Sequence, residues 1–112
     1  MDRRKILVNE YKQRKQIGGI YKITNSLRGM YLLGYTSNLN SMQNRFNFSV
    51  SNESCIHPKL LEDWKEFGGK DFIFEIIESI EKKEDQSQDE FIDDLKTLEE
   101  IWRGKLDASY EY

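Results

Sequence analysis

Residues 18–25 read Gly-Gly-Ile-Tyr-Lys-Ile-Thr-Asn, and residues 29–36 read Gly-Met-Tyr-Leu-Leu-Gly-Tyr-Thr. Both runs are rich in the β-branched, aromatic and aliphatic side chains that strands favour. Residues 25–29, Asn-Ser-Leu-Arg-Gly, join the two runs and are typical of a tight turn. The pattern therefore predicts a β-hairpin over residues 18–36.

The alternation of side chains along a strand predicts which residues of this hairpin face the same way. If Ile23 lies opposite Met30, Tyr21 lies opposite Leu32. In that register Tyr21, Ile23, Met30, Leu32 and Gly34 share one face of the hairpin.

Net charge differs between the two halves of the chain, although the 112 residues together carry only −3. Residues 1–52 contain nine Lys and Arg against two Asp and Glu, a net charge of +7, while residues 53–112 contain eight against eighteen, a net charge of −10. No acidic residue occurs from Tyr11 to Asn52. Because phosphate binding depends on the local field, the first half is compatible with an anionic partner. Two solvated surfaces of opposite sign are the alternative.

Length and cysteine content indicate one domain in a reducing compartment. A chain of 112 residues can bury ~65% of the surface that its unfolded form exposes, so it needs no disulfide to fold. Cys55 has no internal disulfide partner, and Cys55 with the one histidine, His57, provides too few ligands for a zinc site. Neither a long apolar run nor a cleavable leader follows the charged start, so we expect a cytoplasmic protein that does not enter membranes.

Two helices are predicted after the hairpin. The first begins at Ser41, after a polar loop, and Arg45 is expected at the edge of its inward face. Residues 47–56 are polar and are expected to be irregular. The second helix has Pro58 in its first turn and stops at Gly68.

A third strand and a long final helix follow. Residues 71–77 are apolar on both sides, so this strand is expected to be central in the sheet or covered on both faces. A charged connector spans residues 78–88, and the final helix runs from about residue 89 to residue 106. The buried stripe of this helix is predicted to comprise Phe91, Leu95, Leu98, Trp102 and Leu106.

Glu99 occupies an unusual position on the final helix. At about 100° per residue it falls at the edge of the apolar stripe, whereas Glu100 and Arg103 are expected to face the opposite way. A carboxylate at such an edge must be paired, protonated or bound to a cation, because an unpaired buried charge is costly. Two interpretations are open: a salt bridge with Arg45 or Lys22, or service as the one protein ligand of a hard divalent ion that keeps most of its waters.

Four short segments occur in an order that is typical of one enzyme family. Gly19-Ile20-Tyr21 is followed by Leu32-Leu33-Gly34, then by Ser-Met-Gln-Asn-Arg-Phe at residues 41–46 and by Leu-Glu-Glu-Ile-Trp at residues 98–102. In this order the segments resemble the GIY-YIG endonucleases: an intact first signature, a changed second signature, a Ser-Leu-x-x-Arg-Phe helix and a Glu-x-x-Trp segment. The resemblance covers about residues 18–110.

The resemblance implies a small α/β (α+β) fold, in which a three-stranded antiparallel sheet is flanked by helices in the order β-β-α-α-β-α. We therefore divide the chain into a basic N-terminal helix or arm at residues 1–17 and a GIY-YIG nuclease-like domain at residues 18–112. The extra helix, predicted at residues 2–16, carries six basic residues. It is either a loosely docked, solvated helix or an arm that lies along a phosphate backbone.

The resemblance also implies metal-dependent hydrolysis of DNA phosphodiester bonds. Tyr21 would orient or deprotonate the attacking water, Arg45 would bind the phosphate, and Glu99 would hold one divalent ion, Mg²⁺ or Mn²⁺. Lys22 and Arg28, together with Arg45, are the candidates for binding the nucleic acid.

The chain departs from the family pattern at three polar positions. Leu32 replaces the tyrosine of the second signature, Ser49 stands where many members have His or Tyr, and the C-terminal tail lacks the usual Asn. Tyr31, Tyr35 and His57 are the candidates for compensation. The two tyrosines project from the other face of the strand unless a bulge turns one inward, and His57 has the alternative of capping the helix that follows it.

Functions from different classes therefore stay open. The first is a metal-dependent DNA endonuclease. The second is a catalytically impaired domain of the same fold that binds nucleic acid or another protein, which the leucine at position 32 favours. The third is a small α/β scaffold without nucleic acid, which draws on the acidic C-terminal half.

Overall fold

The computed structural model describes residues 16–112, and its helices and strands follow the order β-β-α-α-β-α. The elements are β1 (Ile17–Asn25), β2 (Tyr31–Thr36), α1 (Leu39–Ser51), α2 (Leu61–Phe67), β3 (Phe72–Glu81) and α3 (Gln88–Lys105). Short 3₁₀ segments lie at Pro58–Leu60, Gly69–Asp71 and Ala108–Tyr110. The predicted α+β class is confirmed, whereas the helix predicted at residues 2–16 lies, except for its last residue, outside the described residues.

The three strands form one antiparallel sheet in the order β2-β1-β3. The prediction that the third strand is central or doubly covered is wrong, because β3 is an edge strand and its Ile73 and Ile76 are about half exposed. The apolar run is misleading here because α3 packs mainly against β1 and β2. β3 also continues to Glu81, so the charged connector is shorter than predicted.

The register of the hairpin differs by two residues from the predicted register. Ile23 lies opposite Leu32 and Tyr21 lies opposite Gly34, whereas we expected Ile23 opposite Met30. Because side chains alternate with a period of two, a shift of two residues keeps each side chain on its predicted face. Tyr21, Ile23 and Leu32 accordingly share one buried cluster.

Asn25 explains this register. Its buried side-chain oxygen accepts hydrogen bonds from the backbone N–H groups of Leu27 (3.0 Å) and Arg28 (3.3 Å), which folds the turn back on itself. The turn ends at Gly29, whose φ of +73° is in the region that favours glycine. The backbone N–H of Asn25 then donates to the carbonyl of Met30, so strand pairing resumes two residues later than we expected.

Each face of the sheet buries its own cluster. The face toward α1 and α2 buries Tyr21, Ile23, Leu32, Phe46, Leu60, Trp64 and Phe72, which we call the first cluster. The face toward α3 buries Ile20, Tyr31 and Leu33 against Leu98, Trp102 and Leu106, which we call the second cluster. Phe91 and Leu95 of α3 are fully buried as well, so the stripe predicted on the final helix is confirmed.

The bounds of α1 differ from the prediction at both ends. The helix begins at Leu39, because the side chain of Asn38 accepts a hydrogen bond from the backbone N–H of Ser41 and caps the first turn. It continues to Ser51, through half of the segment predicted as irregular. Inward-facing side chains of the last turns pack on the first cluster, so tertiary contacts extend a helix whose polar composition does not indicate one.

The predicted second helix is confirmed as a 3₁₀ turn that leads into α2, with Pro58 at its start and Gly68 at its end. Within residues 16–112, none of the helices has the length and apolar character that crossing a bilayer requires.

Candidate active site

Tyr21 lies at the centre of the candidate site. The side chain is 8% exposed, and its ring stacks on Phe74 of β3 with centroids 5.4 Å apart and an interplanar angle of 18°. The ring also crosses the backbone of its cross-strand partner, since a Cβ added at Gly34 would lie 2.5 Å from Tyr21 Oη and 2.6 Å from Cζ. Only glycine at position 34 leaves room for this ring, so Gly34 positions the hydroxyl over β2.

A β-bulge lies beside Tyr21. Ile20 pairs with Glu78 and Tyr21 pairs with Ile76, so Ile77 of β3 has no partner on β1. Bulges increase the local twist of a strand and redirect neighbouring side chains, and they are frequent next to active sites. A bulge on β2 could have turned Tyr31 or Tyr35 inward. The bulge occurs instead between β1 and β3, beside Tyr21.

The hydroxyl of Tyr21 experiences charges from two helices. Burial raises the pKa of Tyr21 above its usual value of 10.0, and the negative charge of Glu99 on α3 raises it further. The guanidinium of Arg45 on α1 lowers the pKa, and Tyr35 raises it. The structure thus brings Tyr21, Arg45 and Glu99 into one electrostatic neighbourhood, although they come from three elements.

Glu99 forms an ion pair, but with a partner that we did not expect. Its Oε1 accepts a hydrogen bond from Nη1 of Arg103 at 2.9 Å, and Nε of Arg103 donates to Oε2 of Glu111 at 3.0 Å. The predicted partners, Arg45 and Lys22, do not form this salt bridge. The expectation that Arg103 faces away is also wrong, because residues four apart on a helix lie on the same side.

The second carboxylate oxygen of Glu99 is available to a ligand. Within residues 16–112, Oε2 accepts no hydrogen bond, and the side chain is 18% exposed. The same residues contain no group of three or more His, Cys, Asp or Glu that could hold a metal. A hydrated Mg²⁺ or Mn²⁺ needs only one or two carboxylates, so the donor set at Glu99 fits a one-ligand site and does not fit a closed cage.

Arg45 is exposed on α1, and no carboxylate of the described part of the chain lies within ion-pair distance of it. A guanidinium offers five N–H donors in a planar fork that matches phosphate oxygens. Among the described residues, Arg45 therefore keeps its donors free of carboxylates, and its charge acts on Tyr21.

The other two predicted nucleic-acid contacts lie elsewhere. Nη1 of Arg28 donates to both carboxylate oxygens of Asp63 at 2.8 Å, so this arginine is committed to a protein partner. Lys22 follows Tyr21 on β1 and points to the opposite face, where its Nζ lies 5.8 Å from the centroid of the Tyr31 ring. Neither residue joins the group around Tyr21.

Of the three candidates for compensation, only Tyr35 acts on Tyr21. Tyr31 is buried in the second cluster, and its hydroxyl donates to the backbone carbonyl of Asp107 at 3.0 Å. Tyr35 packs beside that cluster but contributes to the pKa of Tyr21. Nδ1 of His57 accepts from the backbone N–H of Lys59 at 3.1 Å, which is the helix cap of the alternative interpretation.

The two residues that replace polar family positions are both buried. Leu32 is 5% exposed in the first cluster, and Ser49 is 8% exposed on the inward side of α1. Leu32 therefore serves as core, on the same face of the sheet as Tyr21.

Four residues around the site carry no role in the sequence-based prediction: Gly34, Glu78, Arg103 and Glu111. Glu78 anchors α3 to β3, because its Oε1 accepts from Nε1 of Trp102 at 2.9 Å. The sequence did contain indications of two of these residues. The spacing of four between Glu99 and Arg103 indicates an ion pair on a helix, and a glycine inside a strand indicates a close approach by another group. No sequence pattern indicated Glu111, because it reaches the site through an isolated β-bridge between the C-terminal residues and Tyr31.

The fold has counterparts among solved structures, whereas neither a family model nor a curated protein matches the sequence. The catalytic domain of homing endonuclease I-TevI is similar over 84% of this chain and 96% of its own, with 21% identity and a TM-score of 0.59. A mutant of the catalytic domain of intron endonuclease I-TevI is similar over 88% of this chain and 92% of its own, with 20% identity and a TM-score of 0.62. These similarities establish a shared fold over nearly the whole described domain.

Proposed function

We propose that this chain, which has the fold of the GIY-YIG catalytic domains, is an endonuclease that hydrolyses DNA phosphodiester bonds with one divalent ion. The observation that supports this proposal is the convergence of Tyr21, Arg45 and Glu99 from β1, α1 and α3. A hydroxyl, a guanidinium without a carboxylate partner among the described residues, and a partly engaged carboxylate can activate water, bind the phosphate and hold a cation, which are the tasks of phosphodiester hydrolysis. Both similar structures are catalytic domains of endonucleases by name.

Arg45 would bind the phosphate that is cut. Because it has no carboxylate partner in the described residues, its donors are not diverted from an incoming phosphate. Two parallel N–H···O bonds to the phosphate would orient it and offset the charge that develops on its oxygens. The same positive charge lowers the pKa of Tyr21, and a phosphate bound at Arg45 would offset it, so phosphate binding by itself would not activate Tyr21.

Tyr21 would hold the attacking water by a hydrogen bond. Burial and the charge of Glu99 raise the pKa of the hydroxyl, so at neutral pH the hydroxyl is protonated in the ion-free protein. A cation at Glu99 offsets the second of these causes. The capacity of Tyr21 to accept a proton from water therefore depends on the charge state of the Glu99 site.

Glu99 would hold the ion with the carboxylate oxygen that Arg103 leaves free, while Arg103 orients the carboxylate. A bound Mg²⁺ or Mn²⁺ polarises a phosphate oxygen and lowers the pKa of its bound water. Arg103 is itself held by Glu111, so the carboxylate of Glu99 has a fixed direction before any ligand arrives.

A nuclease assay tests this proposal. The pure protein is incubated with plasmid, duplex and single-stranded oligonucleotides in Mg²⁺, Mn²⁺ or EDTA. We expect cutting with the metals and none with EDTA, and we expect Arg45→Ala and Tyr21→Phe to slow cutting while the circular dichroism spectrum stays unchanged. Cutting that persists in EDTA, or that survives both substitutions, contradicts the proposal.

A catalytically impaired domain of the same fold is the second candidate, and the burial of Leu32 at the second-signature tyrosine position favours it. If a missing hydroxyl limits the rate, Leu32→Tyr should raise a feeble rate by ~10-fold to ~100-fold, equivalent to ~1.4 to 2.7 kcal/mol. Leu32→Phe is the matched control, because both variants enlarge the same buried side chain by an aromatic ring. Equal rates for the two variants rule out the missing hydroxyl as the cause.

A further inference from the structure

The outward side of α1 carries an aromatic ring that the packing of the helix does not use. Phe48 is 67% exposed, more than any other large apolar side chain among residues 16–112. The inward side of α1 packs without it, through Leu39, Met42 and Phe46. A single exposed apolar residue needs no explanation by itself, so the surroundings of Phe48 decide its meaning.

The neighbours of Phe48 on the helix surface are polar or cationic. Asn44, Arg45, Ser51 and Asn52, at three and four residues on either side, are all exposed. The sequence of α1 contains no acidic residue. Within α1, the charge nearest to the ring of Phe48 is therefore the cation Arg45, and the acidic Glu53 lies beyond the C-terminal end of the helix.

Arg45 links this surface to the candidate active site. Its charge acts on Tyr21, and its side chain neighbours that of Phe48 at a spacing of three residues. A helix rises 1.5 Å per residue, so Arg45 and Phe48 are separated by ~4.5 Å along the axis of α1. Successive nucleotides of one strand are separated by ~3.4 Å along the duplex axis. The two spacings are of the same order, so a strand that runs along α1 with its phosphate at Arg45 would bring an adjoining base to Phe48.

We propose that Phe48 stacks on an unpaired nucleobase next to the phosphate bound at Arg45. The inference rests on the proposed nuclease function and names its substrate class: DNA with an unpaired base beside the scissile phosphate, as in a splayed fork, a flap or a bulge. In a continuous duplex the faces of the bases are covered by their neighbours, so a protruding phenyl ring has no base face to contact. Aromatic stacking on unpaired bases is the usual way in which proteins hold single strands.

A protein partner fits this surface less well. The core of a protein interface is a contiguous apolar patch in which charged residues are depleted, whereas the neighbours of Phe48 are two asparagines, a serine and an arginine. One ring with an adjacent guanidinium that has no carboxylate partner within residues 16–112 matches a nucleotide, which presents one flat apolar face and one phosphate.

The experiment measures binding in EDTA, so that the DNA stays intact. The full chain is titrated into two labelled DNAs of the same sequence, a continuous duplex and a splayed fork with 2-aminopurine as the first unpaired base. We expect tighter binding of the fork and a change in 2-aminopurine fluorescence from stacking. Phe48→Ala should weaken fork binding by ~5-fold to ~150-fold, the range for the loss of one stacked base, and leave duplex binding unchanged.

Three further variants separate stacking from general apolar contact. Phe48→Trp should retain fork binding, whereas Phe48→Leu should resemble Phe48→Ala because it keeps apolar area without a ring face. Leu27→Ala removes another exposed apolar side chain, 62% exposed at the hairpin turn, and should change nothing. Circular dichroism checks that each variant is folded.

The outcomes distinguish this inference from the function on which it rests. Equal fork binding by the parent and Phe48→Ala, full binding by Phe48→Leu, or an equal loss on fork and duplex overturns the stacking proposal and leaves the nuclease intact. A parent protein that neither binds nor cuts any DNA in Mg²⁺ or Mn²⁺ overturns the nuclease function, and the stacking proposal with it.

Discussion

Asp63 and Glu99 are both carboxylates shielded from solvent, and they differ in how fully their oxygens are engaged. Nη1 of Arg28 donates to both oxygens of Asp63, and Oδ2 also accepts from Oη of Tyr112 at 2.7 Å and from Nδ2 of Asn25 at 3.3 Å. Glu99 accepts one hydrogen bond, on one oxygen. The first carboxylate is saturated by fixed donors, whereas the second is not.

The difference separates a structural carboxylate from one that can take a ligand. Asp63 joins α2 to the hairpin turn and to the C-terminal residues, and the hydrogen bond from Tyr112, with Arg28 and Asn25, lowers its pKa against the effect of burial. The side chain of Glu99 is 18% exposed, against 6% for that of Asp63, so Glu99 is the less buried of the two. Among the described residues, Glu99 therefore has fewer fixed donors and more exposure than Asp63, and together these leave one of its oxygens open to a ligand.

The largest effect is expected from Glu99→Gln, which preserves shape and removes the charge that would hold the ion. We expect kcat for DNA cleavage to fall by ~100-fold or more, the range for deleting one preorganised electrostatic group. Glu100→Gln is the matched control, because Glu100 is exposed one residue further along α3. The metal assignment is wrong if Glu99→Gln cuts as fast as the parent or if Glu100→Gln abolishes cutting.

Asp63→Ala should affect folding rather than chemistry. The substitution leaves the Tyr112 hydroxyl without its acceptor and removes one of the two acceptors of Asn25 Nδ2, so we expect the free energy of unfolding to fall by ~2 to 3 kcal/mol in urea titrations. Arg28 is about half exposed, so its ion pair contributes little of this loss. Glu62→Ala, at the exposed neighbouring position, should change stability by less than ~0.5 kcal/mol. A loss of cleavage in folded Asp63→Ala would break the distinction between the two carboxylates.

Acid should remove the contribution of Asp63. The pKa of Asp63 in the folded protein lies below its usual value of 3.8, so its stabilising effect is present above pH 3.8 and is lost as pH falls through the folded pKa. The difference in unfolding free energy between the parent and Asp63→Asn should therefore be constant near neutral pH and shrink as pH falls below 3.8. A difference that stays constant down to about pH 2 would show that the charge of Asp63 is not what stabilises the fold.

The smallest effect is expected from Tyr112→Phe, which keeps the ring but removes a donor to Asp63 and an acceptor of Asn25. We expect a loss of ~1 to 2 kcal/mol in the free energy of unfolding, the usual contribution of two hydrogen bonds. Tyr110→Phe is the control, since Tyr110 is 51% exposed, and it should leave stability unchanged. Equal stability of Tyr112→Phe and the parent would mean that the remaining donors already saturate Asp63.

Much of the fold could be predicted from the sequence, because the signals are local. The hairpin, the shared face of Tyr21 and Leu32, and the buried stripe of α3 all follow from periods of two and 3.6 residues along one segment. The edge position of Glu99 follows from the same arithmetic. Predicting these features required no knowledge of which segments pack against one another.

The remaining features depend on residues that are distant in the sequence. No local pattern links Asp63 to Tyr112, brings Glu111 to Arg103, or indicates that the Tyr21 ring crosses the backbone of Gly34. An apolar run has the same period whether a strand is central or at an edge, so the edge position of β3 in the sheet could not be predicted from it either. Periodicity states which way a side chain points, whereas its partners are set by how the segments pack, and packing follows from the contacts of the whole chain.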